Sequence, residues 1–120
     1  MDKIKIFLSD DSELADYAFI DKCFRSDVLV QIGNELYKPN FYHIVRLTQE
    51  YNDSISANEV YEIDNNVVLV EETSKKKIIE AILALHKAKY FNKVKPINLL
   101  EEYNSYSTEL QKLSNWKQVY

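Results

Sequence analysis

Apolar and polar residues alternate at the start of the chain and then change period. In residues 3–8 (KIKIFL), Ile4, Ile6 and Leu8 fall on one side of a period-two pattern, which predicts a first strand. Asp10, Asp11 and Ser12 follow as N-cap candidates for a helix running to about residue 24, with Glu13 in its positive first turn. Leu14, Tyr17, Ala18 and Asp21 share one face of that helix, with Phe24 beside them. Phe19 and Cys23 lie elsewhere on its circumference, so coverage over more than one stripe is expected. Residues 27–32 (DVLVQI) read as a second strand, bent or ended at Gly33-Asn34, and Lys38-Pro39-Asn40 as a turn. Residues 41–49 (FYHIVRLTQ) read as a third strand with both faces partly apolar, and residues 52–58 as a loop.

The stretch 59–91 (EVYEIDNNVVLVEETSKKKIIEAILALHKAKYF) organises the rest. It predicts a strand, a tight turn at Asp64-Asn65-Asn66, a second strand and one long helix. With Asn65-Asn66 as the turn, Tyr61 faces Val70 and Ile63 faces Val68 on an apolar side. Glu62 then pairs with Leu69 and Val60 with Glu71 on the other; a turn at Asp64-Asn65 would slip this register. The run 67–70 is apolar throughout, as in a strand covered on both faces. Thr73 or Ser74 caps a helix over about 74–91 that lays Ile79, Ile82 and Leu83 on the sheet, with His86 buried among them. Residues 93–98 form a linker in which Pro96 stops the helix. A weaker helical region follows from residue 99, ending in the amphipathic Leu110, Leu113, Trp116 and Lys117. The expected fold is one α+β domain over 1–120: a sandwich with a mostly antiparallel sheet of about five strands and two or three helices packed on it.

Composition narrows the chemistry. Of 120 residues, 46% are hydrophobic and 28% charged, an ordinary globular balance. The single cysteine, Cys23, cannot form an internal disulfide, which favours a reducing compartment. The N-terminus lacks a secretory pattern, and no run approaches the ~20 apolar residues of a membrane span, so a soluble cytoplasmic protein is expected. Gly33 is the only glycine, which excludes the usual phosphate-binding loops, dinucleotide fingerprints and nucleophile elbows. One cysteine and two distant histidines make no standard zinc site. His43 shares a strand face with Phe41, Val45 and Leu47, so it and His86 read as core histidines. Cys23 would be a nucleophile only with a histidine beside it and a lowered pKa. Asp10-Asp11 and Glu71-Glu72 are sequence neighbours, and on a strand the second pair points to opposite faces. No catalytic residue, cofactor or metal ligand is expected, and an enzyme is the least favoured class.

Charge is unevenly distributed. Residues 1–72 carry 15 acidic and 6 basic side chains, net −9, and residues 73–120 carry 4 and 9, net +5, which sum to the overall −4. The acidic part suits a basic partner, or simply packs against the basic part. Lys75, Lys76 and Lys77 oppose the dipole of the helix they open, so they are either neutralised by Glu71 and Glu72 or face an anion. With a pI near 5.2, local neutralisation is favoured and nucleic-acid binding is not. Nine tyrosines offer interface rings with polar tips, or reflect a chain rich in Ile, Lys and Asn as well.

With KIKIFL, the hairpin EVYEIDNNVVLVEE and the lysine-led helix KKKIIEAILALHKAKYF, the whole chain resembles the small cytoplasmic immunity proteins of bacterial polymorphic-toxin and contact-dependent growth-inhibition systems. The resemblance lies in size, composition and element order. It implies a non-catalytic protein that binds a cognate toxin domain, often a basic nuclease, and occludes its active site. On that expectation the acidic sheet-side surface is the partner-binding site, with Glu59, Tyr61, Glu62, Asp64 and Glu71 as its best candidates. The rival classes are a nucleic-acid-binding or regulatory module using the helix 74–95, and a small assembly subunit joined through a sheet edge or the Trp116 tail. No pattern in the chain specifies an oligomeric state.

Overall fold

The computed structural model describes residues 3–97 and 116–120. The elements run β1 (Ile4–Leu8), α1 (Glu13–Lys22), β2 (Phe24–Arg25), β3 (Val28–Ile32), β4 (Glu35–Tyr37) and β5 (Asn40–Tyr42). They continue with α2 (Ile44–Ser56), β6 (Val67–Leu69), α3 (Lys75–Lys87), a short 3-10 turn at Tyr90–Asn92, and β7 (Lys117–Gln118). The class is α+β, as the patterning predicts. The strands are divided between two sheets, ordered β4-β3-β1-β7 and β2-β5-β6, rather than gathered in one of about five. Among the described residues every ladder is antiparallel except that of β5 with β6.

The core follows from the registers. Ile6 lies opposite Val30 and Leu8 opposite Val28, so four buried aliphatic side chains share one face of the larger sheet. In the smaller sheet Phe41 lies between Arg25 and Val68 on the inner face. α3 sets Ile78 and Ile82 against both, and Phe91 joins the same cluster. Ser74 caps α3, its hydroxyl accepting from the Lys77 amide at 3.4 Å. Ile79 and Leu83 are partly buried beside this face, so the packed stripe is turned slightly from the expected one. α3 ends at Lys87 rather than continuing to residue 91, because Lys89 takes a left-handed conformation (φ 63°) before the 3-10 turn. His86 is half-buried with its ring 6.4 Å from Phe91, not enclosed in the core.

Two further expectations are corrected. Residues 41–49 are not one strand: β5 stops at Tyr42 and α2 begins. His43 is the N-cap, its Nδ1 accepting from the Val45 amide at 3.1 Å, and not a core histidine on a strand face. Ile44, Leu47, Tyr51 and Ile55, spaced by three and four, carry the helical period through the segment expected to be a strand and then a loop. The hairpin at 59–70 does not form either. The Asn66 carbonyl accepts from the Asn40 amide at 2.9 Å and the Asn66 side-chain amide donates to the Lys38 carbonyl, which ties the start of β6 to β5. β6 therefore pairs in parallel, and parallel neighbours need a long connection, which α2 and residues 57–66 supply. Of the apolar run 67–70, Val68 and Val70 pack on the core while Leu69, on the outer face, is half-exposed. The expected helix from residue 99 to 115 lies outside the described residues. Trp116 is half-buried, and Lys117 stands in β7 rather than in a helix.

α1 is held by polar contacts. Arg25 is 1% exposed. It donates to Asp16 at 2.7 Å, to Asp27 at 2.9 Å and to the Thr73 carbonyl at 3.3 Å, with its guanidinium 4.6 Å from the centre of the Phe19 ring. Asp16 also accepts from the Lys75 amide at 2.7 Å, and the Thr73 hydroxyl donates to the Phe19 carbonyl at 2.8 Å. These bonds turn the Ala15, Asp16, Phe19, Ile20 and Cys23 side of α1 inward. The face carrying Leu14 and Tyr17, expected to be packed, is the outer one, with Leu14 80% exposed.

Ile82→Ala should cost about 2–5 kcal/mol in urea unfolding, as for a core site; a loss under about half a kcal/mol would mean that another face carries the packing. Arg25→Ala should cost about 3–5 kcal/mol, because it strands two carboxylates and a buried carbonyl. If Arg25→Ala melted like the parent, α1 would have to be held by something other than this network.

Candidate functional site

One open pocket lies at the Arg25 network, lined by Asp11, Ser12, Glu13, Asp16, Arg25 and Lys75. Its cations are already matched: Lys75 Nζ meets Asp11 at 2.7 Å, and Arg25 is held by Asp16 and Asp27. Its chemistry is that of a structural joint between α1 and α3. Cys23 and His43 are brought together by the backbone, the His43 amide donating to the Cys23 carbonyl at 2.9 Å. His43 spends its Nδ1 on capping α2. Among the described residues, no group of three or more His, Cys, Asp or Glu could hold a metal ion, and no helix is long and apolar enough to cross a membrane.

A different arrangement surrounds α2. Its half-buried residues are Arg46, Leu47, Glu50 and Ser54. Arg46 bonds Glu50 at 3.2 Å, donates to the Lys22 carbonyl at 3.3 Å and lies 5.5 Å from the Phe24 ring centre. Phe24 in turn packs on Tyr42 at 4.8 Å, on the outer face of the smaller sheet. Glu50 accepts from the Tyr61 hydroxyl at 2.9 Å, and Tyr61 meets the Tyr51 ring edge-on at 6.1 Å. Burial, followed by a hydrogen bond to Glu50 and the charge of that carboxylate, pushes the Tyr42 phenol up to about 12. Burial and Glu50 raise Tyr61 as well.

The candidate residues fall around this cluster, though not on the expected hairpin. Tyr61 is half-buried against Glu50 and Tyr51, and Glu59 follows the end of α2, its amide donating to the Ser54 carbonyl at 2.8 Å. Glu62 and Asp64 are exposed in the connection to β6. Glu71 lies beyond β6 and meets Lys77 at 3.5 Å while remaining 77% exposed. All five therefore sit on or beside the crossover from α2 to α3, without the strand pairing that placed Tyr61 opposite Val70. The feature missed at the sequence level is Glu50, whose position seven residues before an acidic loop gives no sign that it organises two tyrosines and an arginine. The lysine run is largely neutralised locally: Lys75 by Asp11, and Lys77 by Glu71 and by Glu80 at 3.7 Å.

From Leu47 through Ser74 the chain contains no Lys, Arg or His, but it contains Glu50, Asp53, Glu59, Glu62, Asp64, Glu71 and Glu72. Of these only Glu50 is half-buried; the others are exposed. Comparison of the chain with family models, with curated proteins and with solved structures gave no match.

A spectroscopic titration of the tyrosines should show Tyr42 ionising only near pH 12, and Glu50→Gln should move it part of the way back toward 10. The folded state holds this proton more tightly than the unfolded chain does. Its stabilising contribution is therefore complete below about pH 10 and disappears as the pH rises through about 12. An unchanged Tyr42 titration in Glu50→Gln would show that Glu50 does not act on that phenol.

Proposed function

We propose that this chain is a non-catalytic immunity protein that binds a cognate toxin domain, a basic nuclease, and covers its active site. The observation that carries the reading is the segment 47–74, which bears seven carboxylates and no cation over a helix, a loop and a strand. Six of those carboxylates are exposed, so their field reaches solvent and would steer a basic protein toward this side. The protein would act in the cytoplasm of the cell that makes the toxin. Glu59, Glu62, Asp64 and Glu71 would form the charged rim, with Tyr61 as an aromatic anchor at its edge. Binding of nucleic acid through α3 is less well supported, because Lys75 and Lys77 already have carboxylate partners.

Pull-down from the native bacterium should recover a basic protein whose nuclease activity the purified chain inhibits. In binding kinetics at two salt concentrations, the Glu62→Lys/Glu71→Lys double variant should lower the low-salt association rate by about tenfold or more. Tyr61→Ala should mainly raise the dissociation rate. Recovery of nucleic acid alone, or a partner indifferent to both salt and the double variant, would refute the proposal.

A further inference from the structure

α2 is amphipathic, yet it rests on the body of the protein through the wrong stripe. Its apolar positions at i, i+7 and i+11, Ile44, Tyr51 and Ile55, are each about half exposed, and Thr48 between them is exposed as well. Arg46, Leu47, Glu50 and Ser54, which are half-buried, lie roughly a third of a turn away around the helix. A surface helix ordinarily turns its apolar stripe to the core and its ions to water. Here the Arg46–Glu50 pair, the Lys22 carbonyl and the Tyr61 hydroxyl hold the polar side inward. Tyr51 touches Tyr61, so the apolar stripe runs into the segment where Val60 is 92% and Ile63 56% exposed. Contiguous apolar surface of this kind marks a place where another protein binds.

We propose that the outer stripe of α2, Ile44–Thr48–Tyr51–Ile55, is the apolar centre of an interface whose occupant is a basic protein domain. The charges select that occupant. Glu59, Glu62 and Asp64 lie in the loop that carries Val60 and Ile63 and whose Tyr61 meets Tyr51, and no cation occurs between Arg46 and Lys75. A second copy docked there would offer the same acidic loop and no cation from residues 47–74 to match it. An apolar centre bordered along the 59–64 loop by one sign of charge fits a partner with a complementary basic edge. This inference rests on the toxin-binding proposal and moves the centre of the contact from the 59–71 segment to α2.

The test uses the purified basic partner recovered on the intact chain, with Tyr51→Ala, Ile55→Ser and Thr48→Arg made in the full-length protein. All three positions are solvent-facing, and unchanged thermal melting verifies that the variants fold. Tyr51→Ala and Ile55→Ser should each weaken binding by tenfold or more through faster dissociation, and the effect should persist at high salt. Thr48→Arg, which places bulk and positive charge in the middle of the stripe, should abolish the complex. Partner binding unchanged in all three variants but lost in Glu62→Lys/Glu71→Lys would overturn the α2 proposal and leave toxin binding standing. A concentration-dependent homodimer that Thr48→Arg dissociates, with no effect on partner binding, would assign the stripe to self-association instead. Absence of any basic partner would overturn both proposals.

Discussion

A buried guanidinium sets the arrangement of everything on one side of this protein. Arg25 occupies an inner-face position of the smaller sheet, beside Phe41, where an aliphatic side chain would ordinarily stand. A charge taken out of water is tolerable only with opposite charge and a full set of acceptors. Those acceptors come from three places: Asp16 on α1, Asp27 at the entry to β3, and the Thr73 carbonyl before α3. The fork geometry of arginine lets one side chain hold all three, which an ammonium on a flexible stem could not do as well. Asp16 then caps the start of α3 by accepting from the Lys75 amide. The N-termini of α1 and α3 are thereby fixed to each other through one carboxylate.

That constraint explains why α1 is turned as it is. The apolar stripe legible in its sequence, Leu14–Tyr17–Ala18, is incompatible with Asp16 reaching Arg25, since the two lie on opposite sides of the helix. Satisfying a buried cation outweighs burying one leucine and part of a tyrosine, because an unpaired internal charge costs more than the roughly 1.5–3 kcal/mol gained from an apolar side chain. α2 shows a milder case: its Arg46–Glu50 pair, with side chains 37% and 31% exposed, lies on the side turned toward the body of the protein. α3 differs in placing fully buried apolar residues, Ile78 and Ile82, in the core.

What the sequence disclosed and what it concealed follow from this difference. β1, β3, the α+β class and the cap at Ser74 were legible, because each rests on local alternation or on a capping side chain. The packed side of α1 was not, because periodicity identifies an apolar stripe without saying whether a buried ion elsewhere claims the other one. The strand-to-helix change at His43 was hidden by a short apolar run that suits either period, with an uncommon capping residue between. The hairpin misled for a related reason. Asn65-Asn66 has turn chemistry, but Asn66 spends its backbone carbonyl and side-chain amide on Asn40 and Lys38, which commits the following strand to β5. Of the candidate surface, the acidic residues were legible as charge. Their relation to α2 was not, since it depends on Glu50 joining Tyr61 to a helix that the pattern presented as a strand.

The parallel crossover also gives the acidic segment its physical character. Seven carboxylates without a cation between residues 47 and 74 repel one another wherever they come within a Debye length of roughly 8 Å at physiological salt. Glu50 is relieved by Arg46, and Glu71 in part by Lys77. Asp53, Glu59, Glu62 and Asp64 face solvent on the crossover. Salt therefore acts on this region with opposite signs in two processes. Screening relieves the repulsion within the crossover and favours the folded chain, but it weakens the same field as an attractor of basic protein. The apolar contact proposed on α2 would escape that opposition, because burying Tyr51 and Ile55 depends chiefly on area removed from water. On the proposed interface the two components would divide the work of association: exposed carboxylates would govern the speed of encounter, and the outward stripe of α2 how long an encounter lasts.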